Sequence, residues 1–325
     1  MDYKRNKHRR EWWLEHHEEH GLVPHRSMKR RKPSHDYNSR CIYMITLSTL
    51  GRRPVLGVLC DADSSHPKPW IKPSELGNKV LSCWRQIAVL HPQIRLMAVQ
   101  LMPDHMHGVL FVTSPMPKHL GTVINGFKVG CNKFSREMTG DVLWGSGYND
   151  IILKGKGQLE RMIHYVQDNP RRRWIKHNNH DFFTIKNDVT IGEWQVAAVG
   201  NQFLLEHPLK VAVKCSRSIK GDDEIAQEVN KFMAMADAGA VLVSPSISPA
   251  EKKVMRSAFD AGYPLIVIIE NGFSPLWKPG GKQFDACAEG RLLLVAPWPH
   301  HNEYKRIRRQ QCQSLNDLAQ EIASI

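Results

Sequence analysis

The sequence predicts two sheet-based units in series, an antiparallel α+β domain with its helices on one face and then an α/β domain built on a parallel sheet. Two observations predict this. Between residues 41 and 138, β-branched and aromatic runs alternate with helical apolar stripes in the order β-β-α-β-β-α. From about residue 186, short continuously apolar strands alternate with helices, which is the pattern of a parallel sheet covered on both faces. The expected divisions are a basic N-terminal extension at 1–37, the antiparallel domain at 38–185 and the parallel-sheet domain at 186–325.

Each element has its own signal. Residues 1–40 hold eleven Lys and Arg against six Asp and Glu, with six of the 17 histidines. Glu11 to His20 has the character of a helix anchored by Trp12 and Trp13. Its His16-His17-Glu18-Glu19-His20 run misses the His-Glu-x-x-His metal spacing, because Gly21 stands where the second histidine is needed. Lys29-Arg30-Arg31-Lys32 forms a basic patch, read either as a solvated tail or as a phosphate-contacting arm. Cys41 to Thr49 reads as a strand and Val55 to Cys60 as its hairpin partner, followed by a polar loop over 61–72. Leu76, Val80, Leu81, Trp84, Ile87 and Leu90 recur at helical period behind Ser74. Ile94 to Gln100 is a strand.

Next comes Met102-Pro103-Asp104-His105-Met106-His107-Gly108, which opens an apolar strand. Side chains on a strand alternate faces, so His105 and His107 share one face and Met106 takes the other. Leu120 to Met138 is a helix with Val123, Ile124, Phe127 and Cys131 inward and Lys128, Lys133 and Arg136 outward. Trp144 to Leu153 gives a short strand. Gln158 to Asn169 gives a helix, with Leu159, Met162, Ile163 and Val166 as a core stripe, ended by Pro170 and followed by Arg171-Arg172-Arg173.

Composition narrows the class. Lys and Arg number 45 against 32 Asp and Glu, a net +13 with pI near 9.5, which favours a polyanionic partner such as nucleic acid. Seven scattered cysteines without a Cys-x-x-Cys argue for free thiols in a reducing cytoplasm, against a disulfide framework or zinc ribbon. The start lacks the apolar core of a signal peptide, and runs such as Leu265 to Ile269 are far too short to span a bilayer, so no membrane partner is expected.

His105, His107, Tyr165 and Asn169 together suggest phosphodiester chemistry. Tyrosine cleavage needs a hydroxyl aimed at phosphorus and a cation on the phosphoryl oxygens. Two imidazoles and one amide oxygen suit a loosely held Mg²⁺ or Mn²⁺, and Tyr165 and Asn169, at i and i+4, share a helix face. Lys128, Lys133, Arg136, Arg171, Arg172 and Arg173 would hold a DNA strand around such a site.

The Met102-Pro-Asp-His-Met-His-Gly108 run resembles the Met-Pro-Asn-His-Val-His-Gly signature of single-tyrosine HUH transposases, with Asp104 in place of the common asparagine. Phe127-Lys128, Tyr148-Asn-Asp-Ile-Ile, Leu159-Glu160-Arg161 and Tyr165-Val-Gln-Asp-Asn169-Pro170 are similar to the REP-associated tyrosine transposases, over about residues 38–180. The resemblance implies a ferredoxin-like fold, single-stranded hairpin DNA as substrate and a 5′-phosphotyrosine intermediate. It makes Tyr165 the nucleophile, with Tyr148 the fallback, and His105, His107 and Asn169 the metal ligands. It also implies a bacterial, nucleoid-associated protein and allows a homodimer.

In the second half the expected strands are Leu209–Cys215, Ala240–Ser244, Leu265–Ile269 and Leu292–Ala296. The expected helices are Asp222–Ala238, Pro249–Ala261, Lys282–Ala288 and Ser314–Ile325, and Ser248-Pro249-Ala250-Glu251 is a capping box. Ligands of such sheets bind at the carboxyl ends of strands, which makes Ser216, Arg217, Ser246 and Asn271 candidate ligand-loop residues. Cys215-Ser216-Arg217 and the elements from Val243 to Gly272 resemble, more weakly, the Rossmann-like domain of DNA-processing protein A and the SLOG nucleotide-sensing superfamily. Cys215 and Ser244-Pro-Ser-Ile-Ser stand where that pattern has glycines, and side chains there crowd a phosphate. The leading expectation is therefore a metal-dependent single-strand DNA transposase with an accessory domain. The alternatives are a non-catalytic DNA-binding or regulatory protein derived from one, and a nucleotide-sensing C-terminal module.

Overall fold

The computed structural model describes residue 32 and residues 34–219, 221–303 and 306–325. The expected helix at 11–20 and the basic residues 29–31 lie outside them. The chain divides into two compact units, one running up to Trp174 and the other beginning at Ile175.

The first unit is built on an antiparallel sheet in the order β4-β5-β1-β6, with β1 Cys41–Ser48, β4 Ile94–Met102, β5 His105–Val112 and β6 Asn149–Leu153. Two helices, α1 Glu75–Leu90 and α2 Leu120–Thr139, connect them. Ser74 caps α1 by accepting a hydrogen bond from the Gly77 amide, and α2 ends at Gly140 in the left-handed conformation. Tyr43, Ile45 and Leu47 of β1 and Met106, Leu110 and Val112 of β5 point toward these helices. They form the main core with Val80, Trp84, Ile124 and Phe127.

Three local expectations are corrected. The Val55–Cys60 segment does not pair with β1; its strand β2 (Gly57–Cys60) pairs with β3 (Trp70–Pro73), inside the stretch expected to be loop. The apolar Trp70-Ile71 pair supplies the second strand that the prolines at 67, 69 and 73 disguise. Pro170 does not end a helical stretch. Helix α3 spans only Gln158–Gln167, and Pro170 lies in the first turn of α4 (Asn169–Asn178), where its missing N–H costs nothing. The helices are also not confined to one face. Helix α3 (Gln158–Gln167) covers the opposite side of the sheet, where Val166, Leu159 and Met162 pack on Met44, Val109 and Met97.

The second unit holds a six-stranded sheet in the order β7-β8-β12-β11-β10-β9. Strands β9 (Lys210–Ala212), β10 (Val241–Ser244), β11 (Leu265–Ile268) and β12 (Leu292–Ala296) are parallel. The expectation of an all-parallel sheet fails at β7 (Lys186–Ile191) and β8 (Trp194–Gly200). These form a hairpin that joins β12 antiparallel, so the sheet is mixed. The hairpin escapes a reading based on continuous apolar runs because β7 is mostly exposed. Helices α5 (Asp222–Asp237), α6 (Pro249–Ala261) and α7 (Lys282–Ala288) cover one face, and α8 (Arg309–Ser324) covers the other. None of the helices formed by the described residues is long and apolar enough to cross a membrane.

Candidate active site

The site is built on the face of the first unit's sheet that α3 half covers. The two-residue turn Pro103-Asp104 joins β4 to β5 with Met102 opposite His105, and this register sends His105 and His107 to the α3 side. Their ring centroids lie 4.9 Å apart and the planes are nearly perpendicular. Across the four strands, one row of directly paired residues reads Gln100, His107, Thr46 and Asn149. The next row reads Ala98, Val109, Met44 and Ile151. The sheet therefore changes from apolar to polar within one step, and α3 sits over the apolar row.

Each imidazole is held through Nδ1. His107 Nδ1 lies 2.9 Å from the Thr46 hydroxyl, and His105 Nδ1 lies 2.9 Å from Asp104 Oδ1. Asp104 also accepts from Arg173 Nη1 at 2.7 Å and lies 3.5 Å from Arg52 Nη1. Burial holds the His107 pKa down to about 4, with the neighbouring His105 and Arg52 adding to the effect. Burial also lowers His105, although the Asp104 hydrogen bond and charge oppose it. Both rings are thus neutral at pH 7, the form that binds metals. Burial pushes the Asp104 carboxyl up, but its bonds and charge interactions with His105 and Arg173 outweigh this and hold it below the usual range.

Tyr165 lies on the edge of α3, 43% exposed, with its ring centroid 6.2 Å from that of His107. Tyr148 instead packs against the core formed with α1 and α2, on the other side of the sheet. Asn169 begins α4 close behind α3, and its Nδ2 donates to the Tyr165 and Val166 carbonyls, so the group it has to offer a cation is the amide oxygen. Between β6 and α3 lies an open cleft of about 250 Å³ lined by Ile151, Ile152, Leu153, Gln158, Arg161 and Met162.

The basic residues fare differently from one another. Lys133 and Arg136 are exposed on α2. Lys128 is not outward: its ammonium donates to the Gly145 and Gly147 carbonyls, and burial lowers its pKa. Arg171 forms a two-pronged pair with Asp168, and Arg173 is bound to Asp104. Arg172 is half-buried on α4. The sequence alone does not single out Thr46 or Asn149, because their place in the row that contains His107 depends on strand register. Among the described residues no group of three or more His, Cys, Asp or Glu side chains is gathered to hold a metal ion.

In the second unit the strand-end loops are largely self-satisfied. Ser216 and Ser218 pair through their hydroxyls beside the exposed Arg217, and Ser246 adopts a left-handed φ of 53°. Asn271 is taken up by both the amide and the carbonyl of His301. The buried Glu251 accepts from the amides of Cys215, Ile247 and Ser248, so its own carboxylate fills an amide-lined niche at the ends of β9 and β10.

No family model matches the chain. An uncharacterized protein of Haemophilus influenzae (strain ATCC 51907 / DSM 11121 / KW20 / Rd) is 24% identical over 170 residues, covering 46% of this chain and 89% of that protein. Among solved structures, a REP-associated tyrosine transposase bound to a REP hairpin aligns over 44% of this chain and 74% of its own, at 12% identity and a TM-score of 0.32. A candidate transposase from Deinococcus radiodurans aligns over 42% of this chain and 97% of its own, at 17% identity and a TM-score of 0.27.

Proposed function

We propose that the first unit, read as a ferredoxin-like HUH domain, cleaves single-stranded hairpin DNA and rejoins it through a 5′-phosphotyrosine on Tyr165. One observation carries the reading: the exposed Tyr165 phenol stands beside His107, on the sheet face that also bears His105. In the reaction the Tyr165 oxygen attacks phosphorus and loses its proton. The bond from phosphorus to the 3′ oxygen breaks, and the leaving strand takes up a proton as a free 3′-hydroxyl. Attack by a second 3′-hydroxyl reverses these steps and transfers the strand.

Two neutral imidazoles with engaged Nδ1 atoms and an amide oxygen are donor types that Mn²⁺, and more loosely Mg²⁺, would accept. In this reading His105, His107 and Asn169 would hold the ion, which polarises the phosphoryl oxygens. Lys133 and Arg136 serve as exposed contacts to the DNA backbone, and the net charge of +13 draws the polyanion in. The second unit serves as a Rossmann-like accessory domain.

The test is a pool of labelled single-stranded hairpins incubated with protein and Mn²⁺, then resolved on a denaturing gel. The expected result is a labelled band of protein size that disappears with EDTA and with Tyr165→Phe. DNA binding without any adduct or nick on any hairpin would refute the reading and leave a non-catalytic DNA-binding protein.

A further inference from the structure

The Asp104 carboxylate lies where three things meet: the turn before β5, the His105 ring and helix α4. Its Oδ1 is 2.9 Å from His105 Nδ1 and 2.7 Å from Arg173 Nη1, and Arg52 approaches Oδ2 at 3.5 Å. The backbone of the same residue is fixed as well, since the Asp104 carbonyl accepts from both the amide and the hydroxyl of the buried Thr49. Neither the carboxylate nor the ring can turn without breaking one of these bonds.

An aspartate between two guanidinium groups is ionised at neutral pH and can only accept hydrogen bonds. The proton in the bond to His105 must then sit on Nδ1, which leaves the lone pair on Nε2. We propose that Asp104 is a positioning residue: it fixes the tautomer and the plane of His105 so that Nε2 is offered to a divalent cation, and Arg173 serves to hold Asp104 rather than to grip DNA. The cation part of this proposal rests on the function proposed above; the tautomer part does not. A carboxylate behind a ligating histidine is a recurrent way to orient the ring and raise its basicity.

The alternative is a purely structural role, in which Asp104 only staples Arg52 and Arg173 to the turn. Two substitutions separate the roles. Asp104→Asn keeps an oxygen that can accept from Nδ1–H but removes the charge, so it abolishes both ion pairs. Asp104→Ala removes the acceptor and the charge together. In the metal-free protein, imidazole ¹⁵N spectra should show His105 protonated on Nδ1 in the natural chain and in Asp104→Asn, and shifted toward the Nε2–H form in Asp104→Ala. Mn²⁺ affinity, read by electron paramagnetic resonance, should fall roughly 10–100-fold in Asp104→Ala and recover most of that in Asp104→Asn. Arg173→Ala should weaken Mn²⁺ binding and leave the salt dependence of single-strand DNA binding unchanged, because its guanidinium is taken up by Asp104; a shallower salt slope would make it a phosphate contact and overturn its assigned role.

An unchanged His105 tautomer in Asp104→Ala overturns the proposal. So does equal loss of Mn²⁺ affinity in the Asn and Ala variants, because only the staple is lost equally in both. His105→Ala distinguishes the two levels of the argument. If it binds Mn²⁺ as the natural chain does while the tautomer follows Asp104 as expected, the positioning of His105 stands and the metal reading of the site fails.

Discussion

Gly108 follows the histidine pair, and the structure supplies a reason for glycine there. Its Cα faces the core side of β5, where the benzenoid edge of the buried Trp84 indole closes against the strand. A Cβ at this position would stand 2.2 Å from Cζ2, 2.5 Å from Cη2 and 2.9 Å from Cε2 of that ring. Trp84 is 1% exposed and wedged against Phe127 at 5.4 Å, so the ring has nowhere to go. In Gly108→Ala, ring and strand must separate by more than about 1 Å to reach ordinary carbon contacts of roughly 3.5–4.0 Å. Overpacking of this kind costs about 1–3 kcal/mol, and the rigid neighbour puts Gly108→Ala at about 3. For a unit of this size that corresponds to a fall of roughly 6–12 °C in the calorimetric Tm of its transition. The double variant Gly108→Ala/Trp84→Phe removes the obstructing ring edge, so it should be about 1–2 kcal/mol more stable than the two single effects added together. A Gly108→Ala protein melting within about 1 °C of the natural chain, or an additive double variant, refutes the reasoning.

Other expectations follow from the same geometry. Tyr148→Phe should leave the protein–DNA adduct yield unchanged on the denaturing gel, because Tyr148 packs on the far side of the sheet from the histidines. Adduct loss in Tyr148→Phe together with retention in Tyr165→Phe would exchange their roles. Glu251→Ala should strand three amides that now donate to the carboxylate at 2.7–3.2 Å. At about 1 kcal/mol or more for each buried unpaired donor, it should destabilise the second unit by about 3 kcal/mol in urea unfolding. Glu251→Gln, which keeps one acceptor oxygen, should fall between the two, and near-neutral behaviour of Glu251→Ala would mean that water replaces the carboxylate at little cost.

Local signals were legible in the sequence where the physics is local. Helix α6 starts and stops where its capping box and Gly262 place it, and α7 and β12 match their expected bounds. The common face of His105 and His107 follows from strand alternation alone. Register is a different matter. Nothing within Cys41 to Thr49 says which of its residues will stand opposite His107, so Thr46 and Asn149 emerge only from the pairing of β1 with β5 and β6. The β2–β3 hairpin was hidden for a related reason: β2 has the propensity to pair with either neighbour, and only the fold decides between them. The arginine run shows the limit of charge counting. Arg171 and Arg173 are cationic, but Asp168 and Asp104 already hold them.

The candidate nucleophile rides on a lightly anchored element. Of the ten residues of α3 only Val166 is fully buried, whereas α1 buries five and α2 six. Local opening of a protein starts where the least apolar area must be exposed. The amides of α3 should therefore exchange with solvent deuterium well before those of β5 and β1, through an opening that leaves the sheet paired. Tyr165 and His107 then belong to separate cooperative units, and the time they spend together is set by the docking free energy of one short helix rather than by the stability of the whole fold.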